Sequence, residues 1–167
     1  GDAVRSVAYS SDGTQIVSGS DDNTAKVHRV ETGEEVSSFA GHTYWVTSVA
    51  FSPDGKLIAT GSDDKAVKVH RVDTGEEVSS FAGHADRVNS VAFSPDGTQI
   101  ASGSWDHTVK VHRLDVSEEV SSFAGHDDRI TSVCFSPAGN LIASGGDDNT
   151  VKVHHLETGE EVSSFAA

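Results

Sequence analysis

Cysteine, proline and methionine are scarce in this sequence: its 167 residues include one cysteine, three prolines and no methionine. The single Cys134 excludes an intramolecular disulfide framework and favours a reducing compartment. No run approaches the ~20 consecutive apolar residues of a membrane helix, so no membrane interaction is expected. The first ten residues have neither the basic start nor the apolar run of a signal peptide. The expected location is therefore the cytoplasm.

Positively charged residues are also few. The chain has 12 lysines and arginines against 26 aspartates and glutamates, and its formal net charge is −14. Binding to a phosphate backbone needs lysine and arginine clustered on one face, so the composition argues against a nucleic-acid partner. The acidity either serves solubility or attracts a basic partner, and the composition leaves both open.

A repeat of 42 residues organises the whole chain. A Gly-His pair recurs at that spacing, at Gly41-His42, Gly83-His84 and Gly125-His126. Residues 41–82 and 83–124 are identical at 29 of 42 positions. Self-similarity at this period is typical of repeat architectures. The predicted units are residues 1–40, 41–82, 83–124 and 125–167.

Each copy contains four strand-like runs separated by turn residues. In the second copy the runs are residues 46–52, 57–61, 67–72 and 77–82. Within the first run Val49 and Phe51 fall on one face, with small residues on the other. No stretch of ten or more residues has helical periodicity. Four short antiparallel strands per ~40 residues predict an all-β fold built from propeller blades, four per chain.

Several motifs at this fixed spacing resemble the WD40 repeat family. They are the Gly-His pair, the run SVAFSPDG, a strand ending in Ala-Ser/Thr-Gly-Ser, and the Asp-Asp that follows. The resemblance covers all four copies and implies a β-propeller that binds partners. One departure is systematic, because His-Arg replaces the Trp-Asp of the family in three copies and His154-His155 replaces it in the last.

The resemblance implies a hydrogen-bonded tetrad in each blade: the Gly-His histidine, a Ser or Thr, an Asp, and here a histidine in place of tryptophan. The tetrads of the second, third and fourth blades would be His42, Thr60, Asp64 and His70; His84, Ser102, Asp106 and His112; and His126, Ser144, Asp148 and His154. The first copy keeps Ser18, Asp22 and His28 but has no Gly-His histidine. Imidazole can donate an N–H as indole does, but it buries less aromatic area, so we expect weaker tetrads than those of the family.

Nine histidines and many carboxylates also suggest a metal site or acid–base catalysis. The tetrad histidines recur once per blade, too far apart for the ~2 Å bonds of zinc. Pairs such as Asp63-Asp64 recur in the same turn of three copies, which favours a role in the turn. Cys134 replaces the alanines of other copies, Ala50 among them, and is expected to be a small buried residue. The sequence therefore predicts no enzyme, no metal and no cofactor.

The loops where the copies differ are the candidate site for a partner protein or peptide. In the resembled family these loops open on one rim of the ring. Exposed aromatic residues and arginine are enriched at interaction hot spots. The candidates are Tyr44, Trp45, Arg87, Trp105 and Arg129. Neutral drift at unconstrained positions explains the same differences, and one sequence does not separate the two.

Two function classes follow from the sequence. One is a protein-interaction scaffold, taken from a larger repeat protein. The other is a self-assembling structural module, natural or engineered, that has no ligand of its own. Because an open half-ring would expose an apolar face at each end, we also expect the chain to pair with itself as a homodimer and close an eight-bladed ring.

Overall fold

The computed structural model describes residues 2–166, which form sixteen β-strands and no helix. The strands are β1 (Val4–Tyr9), β2 (Gln15–Ser20), β3 (Ala25–Arg29), β4 (Glu35–Phe39), β5 (Val46–Phe51), β6 (Leu57–Ser62), β7 (Val67–Arg71), β8 (Glu77–Phe81), β9 (Val88–Phe93), β10 (Gln99–Ser104), β11 (Thr108–Arg113), β12 (Glu118–Ala124), β13 (Ile130–Phe135), β14 (Leu141–Gly146), β15 (Thr150–His155) and β16 (Glu161–Ala166). Within residues 2–166, nothing forms a helix long and apolar enough to cross a membrane.

Four consecutive strands pair antiparallel in each of four sheets: β1–β4, β5–β8, β9–β12 and β13–β16. The predicted all-β fold is confirmed, and the strand ends predicted in the second copy agree with the structure to within one residue. Each sheet has the strand count and order of a propeller blade. Every strand of a sheet also lies within one predicted 42-residue unit.

A tight turn joins the first two strands of each sheet. In the second sheet Ser52 Oγ donates a hydrogen bond to Asp54 Oδ1 at 2.7 Å, and the Gly55 amide donates to the Ser52 carbonyl at 2.9 Å. Gly55 has a φ of 71°, which glycine adopts without steric cost. Pro53 fixes the φ that opens the turn. Local chemistry therefore sets the hairpin before any contact between sheets.

Neighbouring sheets pack face to face, and their side chains form one apolar cluster per joint. The joint between the first two sheets contains Val17, Ala25, Val27 and Phe39 from the first and Val46, Val49, Ile58 and Val72 from the second. All eight side chains are at most 6 % exposed. The same positions, 42 residues further on, form the second and third joints. The core of this protein therefore lies between its sheets.

Glycine in the second strand of a sheet allows the next sheet to approach closely. A Cβ atom on Gly19 would lie 2.7 Å from a Val46 methyl carbon, and one on Gly103 would lie 2.6 Å from an Ile130 methyl carbon. Real Cβ atoms do not make contacts this short. The glycine is therefore required by the joint, because both glycines have ordinary backbone dihedrals.

Neighbouring sheets contact each other mainly through their first strands. β5 contacts both β1 and β9, and β9 also contacts β13. The outward faces of the first and last sheets, here called the end faces, are covered by no other sheet of the described chain. Their side chains are accordingly exposed, among them Val7 at 60 % and Phe165 at 54 %.

The expectation that Cys134 is buried is wrong. Its side chain is exposed, whereas Ala50 and Ala92 at the same position of inner sheets are half-buried. The inner first strands have a neighbouring first strand on each side, but β13 has only β9. Exposure of Cys134 therefore follows from its place in the last sheet.

Candidate functional site

A polar triad lies beneath the rim of the third sheet, on the loop before β9, on β10 and in the turn after it. His84 Nδ1 is 2.9 Å from Asp106 Oδ2, and His84 Nε2 is 2.8 Å from Ser102 Oγ. The Ala85 amide donates to the same Asp106 oxygen at 2.9 Å. These hydrogen bonds connect the Gly-His loop before β9 to the third sheet.

The triad repeats in the two neighbouring sheets with nearly the same distances. His42 Nδ1 lies 2.9 Å from Asp64 Oδ2 and His42 Nε2 lies 2.7 Å from Thr60 Oγ1. The corresponding distances in the last sheet, formed by His126, Asp148 and Ser144, are 2.9 and 2.8 Å. In the first sheet the Asp22 carboxylate accepts hydrogen bonds from the amide and hydroxyl of Thr24 and from no other described residue.

The protonation states follow from burial and hydrogen bonding. Burial by itself would raise the pKa of Asp106, but bonds from Thr108, the Ala85 amide and His84 outweigh it and lower the pKa to about 2. Burial also lowers the pKa of His84, in spite of its carboxylate partner. The neutral imidazole therefore donates Nδ1–H to Asp106 and accepts the Ser102 hydroxyl at Nε2.

The histidine that replaces the family's tryptophan stands apart from the triad. Neither ring nitrogen of His112 finds a hydrogen-bond partner in residues 2–166, although the side chain is buried. It stacks instead on Phe81 of the preceding sheet, with ring centroids 4.3 Å apart and planes 17° apart. His154 stacks on Phe123 of the preceding sheet at 5.1 Å and 24°, and His70 contacts Phe39 at 5.3 Å with its plane tilted by 48°. Hydrogen bonds thus join three of the four residues that the resemblance groups, and the fourth belongs to the joint.

Burial favours the neutral form of these joint histidines. It lowers the pKa of His112 to about 4 and lowers those of His70 and His154 as well. Each joint histidine is therefore neutral at neutral pH.

A serine, a histidine and an aspartate in this order also occur in hydrolases, which makes access to the serine decisive. Ser102 is 0 % exposed and Ser144 is 2 % exposed. A nucleophile must reach a substrate carbonyl at contact distance. Both hydroxyls are buried and hydrogen-bonded to a histidine ring.

The five candidate partner-binding residues lie on one rim in two groups. Two guanidinium groups contact Trp105, that of Arg129 at 4.0 Å and that of Arg87 at 4.8 Å from its ring centroid. The other group is Tyr44 and Trp45, which are 62 % and 41 % exposed. The structure brings Arg87, Trp105 and Arg129 into contact and leaves the two aromatic residues of the preceding loop beside them.

Sequence reasoning overlooked Arg5 at this rim and gave Asp63 only a role in its turn. The Arg5 guanidinium forms two hydrogen bonds with Asp21 and lies 4.9 Å from the Trp45 ring. Arg87 Nη1 binds Asp63 Oδ2 across the next joint at 3.1 Å. A signal for Arg5 was present, because the other copies have threonine or asparagine at that position.

A protein-family model, described as WD domain, G-beta repeat, matches residues 1–29, 33–71, 75–113 and 117–155. The chain belongs to the WD40 repeat family. Proteins of this family are generally interaction scaffolds and are typically not enzymes. A search of curated proteins found no match.

The matched WD40 repeats are offset from the sheets. The match at residues 33–71 begins with β4 of the first sheet and continues through β5, β6 and β7 of the second. A sequence repeat therefore spans a joint, and it carries both the phenylalanine and the histidine that meet there.

The first prediction tests the polar triad. Asp106→Ala removes the acceptor of His84, Ala85 and Thr108, so we expect a loss of about 2–4 kcal/mol in the free energy of unfolding. Asp22→Ala is the matched control, because it stands at the same position in the one sheet that has no Gly-His histidine; a loss of about 1 kcal/mol is expected. Urea unfolding at one protein concentration measures both. Equal losses would show that the histidine contributes nothing.

The second prediction concerns pH. A histidine in the unfolded chain binds its proton near pH 6.5, whereas folded His112 does so only near 4, so the stability it supports is present above pH 6.5 and is lost as pH falls toward 4. Between pH 7.5 and 5, the wild type should lose about 1–2 kcal/mol more than His112→Phe, which keeps an aromatic ring on Phe81. His107→Asn is the control for an exposed histidine. Parallel stability curves for wild type and His112→Phe would contradict this.

Proposed function

We propose that two copies of this chain close an eight-bladed ring, and that the ring is a scaffold that binds a protein or peptide on its rim. The observation that carries the proposal is that the two end faces expose the residues which every internal joint buries. Val4 and Val7 are 59 % and 60 % exposed, whereas Val46 and Val49, which hold the same positions in the second sheet, are 0 % and 6 % exposed.

The end face of the last sheet is the complement of the first. Phe165 is 54 % exposed, and Phe123 at the same position of the third sheet is 5 % exposed. Each internal joint packs the face of one sheet that carries this phenylalanine against the face of the next sheet that carries the first-strand valines. One chain therefore has one half of a joint at each end, and a second copy supplies both missing halves.

Polar groups at the joints follow the same pattern. A first-strand serine accepts a hydrogen bond from the first-strand amide of the next sheet: Ser6 from Val49 at 3.2 Å, and Ser48 from Val91 at 3.1 Å. Ser132 and the Val7 amide hold the corresponding positions at the two end faces. Joining the faces would form the same bond at each joint between chains.

The number of copies follows from the number of blades. Propellers typically have four to eight blades. Four blades of one chain do not close, because both end faces are exposed. Two chains related by a twofold axis give eight blades and two identical head-to-tail joints. The −14 charge of each chain opposes this pairing, but salt screens it over about 8–10 Å and the faces themselves are apolar.

The rim supports the second half of the proposal. Two arginines contact the Trp105 ring, and these contacts order the aromatic ring and the guanidinium groups before a partner arrives. A contact that is ordered in advance costs less entropy on binding. Arg87 also binds Asp63 across one joint. Arg129 and Trp105 hold the same two positions at the next joint, where the aromatic ring takes the place of the carboxylate.

The third prediction tests closure. Light scattering should give a mass near twice the 17.5 kDa of one chain, with dissociation on dilution. Gly145→Val should give a monomer that unfolds no more easily than the wild-type monomer. A Cβ at Gly145 would meet no described atom within 4 Å in the single chain, but the same position in the other sheets faces valine or isoleucine methyl carbons at 2.6–2.8 Å.

Gly103→Val is the matched variant inside a chain, and it should destabilise the chain itself because its Cβ would lie 2.6 Å from Ile130. A compact wild-type monomer, or a Gly145→Val protein that remains a dimer of unchanged affinity, would overturn ring closure.

The fourth prediction concerns the rim. Peptides selected from a displayed random library against the chain should bind the rim, and Trp45→Ala with Trp105→Ala should weaken them by roughly tenfold or more. Val78→Ala, on an exposed part of the outer strand β8, is the control and should leave affinity unchanged. Selected peptides that ignore both tryptophans would place the site elsewhere. A stable dimer that selects no peptide would favour the purely structural module.

A further inference from the structure

We infer that acidification opens the two joints between chains, because closing each joint buries His28 of one copy against Phe165 of the other. This inference rests on the proposed ring. It concerns the regulation of the ring's two intermolecular joints, which the internal joints of one chain allow us to describe residue by residue.

Every internal joint contains one histidine and one phenylalanine in contact. The histidine is on the third strand of one sheet and the phenylalanine is on the fourth strand of the sheet before it. The three pairs are Phe39 with His70, Phe81 with His112, and Phe123 with His154, and their ring centroids are 5.3, 4.3 and 5.1 Å apart. The three histidines are at most 5 % exposed. A neutral imidazole fits such a contact, whereas an imidazolium would lose its hydration.

The fourth pair is divided between the two end faces. His28 holds the histidine position of the first sheet and is only half-buried. Phe165 holds the phenylalanine position of the last sheet and is 54 % exposed. In the ring, Phe165 of one copy covers His28 of the other, twice. Assembly therefore removes two imidazoles from water.

One carboxylate, that of Glu35, interacts with His28, as Glu77 does with His70 at 3.8 Å, and burial nevertheless lowers the pKa of His70. On its own sheet Glu35 stands opposite His28, but the Glu35 carboxylate already binds Lys26 Nζ at 2.8 Å. Ile16 is its other strand neighbour. The face that would cover it, by analogy with the internal joints, consists of Ala143, Val151, Val153 and Phe165. The charged groups that act on His70 are likewise from its own sheet: Glu77, Lys68 and His42.

The joints between chains should open before the internal ones. The sheets of one chain stay near each other because the chain connects them, so an opened internal joint closes again at high effective concentration. Closure of a joint between chains depends instead on the concentration of free chains in solution. Closing a joint that buries an imidazole without its proton releases that proton, and linkage then weakens association roughly tenfold per pH unit for each proton released in acid. Two joints release two protons and together give roughly 100-fold.

Sedimentation of the full chain at pH 7.5 and pH 5.5 tests the inference. The dissociation constant of the wild-type dimer should rise about 100-fold at pH 5.5, a range in which most carboxylates stay ionised. His28→Phe keeps an aromatic ring in the joint and should bind equally at both pH values. His28→Gln should bind more weakly but also without pH dependence, so the test survives if the phenylalanine variant folds poorly.

His107→Asn is the matched control. Asn23 and Asn149 occupy the same turn position in other sheets with the same positive φ, so this change removes a histidine without strain. It should keep the wild-type pH dependence. A wild-type dimer with equal affinity at both pH values, or pH dependence that persists in both His28 variants, would overturn the inference. A wild-type monomer at pH 7.5 would instead overturn the ring itself.

Discussion

Face-to-face burial of one sheet against the next is the interaction on which the rest of this structure depends. A single four-stranded sheet has two apolar faces and little core of its own. The fully buried side chains of this chain, including Val17, Val46 and Ile58, lie between sheets. Stability therefore belongs to pairs of adjacent sheets, as in other repeat proteins. The glycine at Gly19 and its equivalents shows how close the approach is, because a single Cβ there would collide with the next sheet.

The polar triads have a different role from the apolar joints. They fix the loops on the rim, since His84 connects the loop before β9 to Asp106 and Ser102 of the same sheet. The histidine at the position of the family's tryptophan lies outside this network. The imidazole of His112 stacks on Phe81 with both nitrogens buried, and a buried polar group without a partner costs about 1–3 kcal/mol. The substitution thus weakens the joint and makes it sensitive to protons.

The fold was predictable from sequence because its signals are local and repeated. Alternating residues such as Val49 and Phe51, glycine and proline turns, and the 42-residue spacing each indicate the same four-stranded unit. The triads were predictable only through family resemblance, since nothing in the spacing shows that His84 reaches Ser102. The separate position of His112 and the exposure of Cys134 were not predictable, because each depends on which sheet lies beside the residue. The pairing of Arg5 with Asp21 was visible only as a difference between copies.

Differences between the copies also decide which joint is weakest. At the rim, each internal joint has an added contact: Trp45 with Arg5, Arg87 with Asp63, and Arg129 with Trp105. The joint between two chains would instead bring Asp147 opposite Ala3, and a methyl group neither pairs with a carboxylate nor stacks on it. That joint therefore relies on its apolar faces and on the His28–Phe165 contact. A ring built this way has two defined points of opening, set by sequence, while the four sheets within each chain stay together.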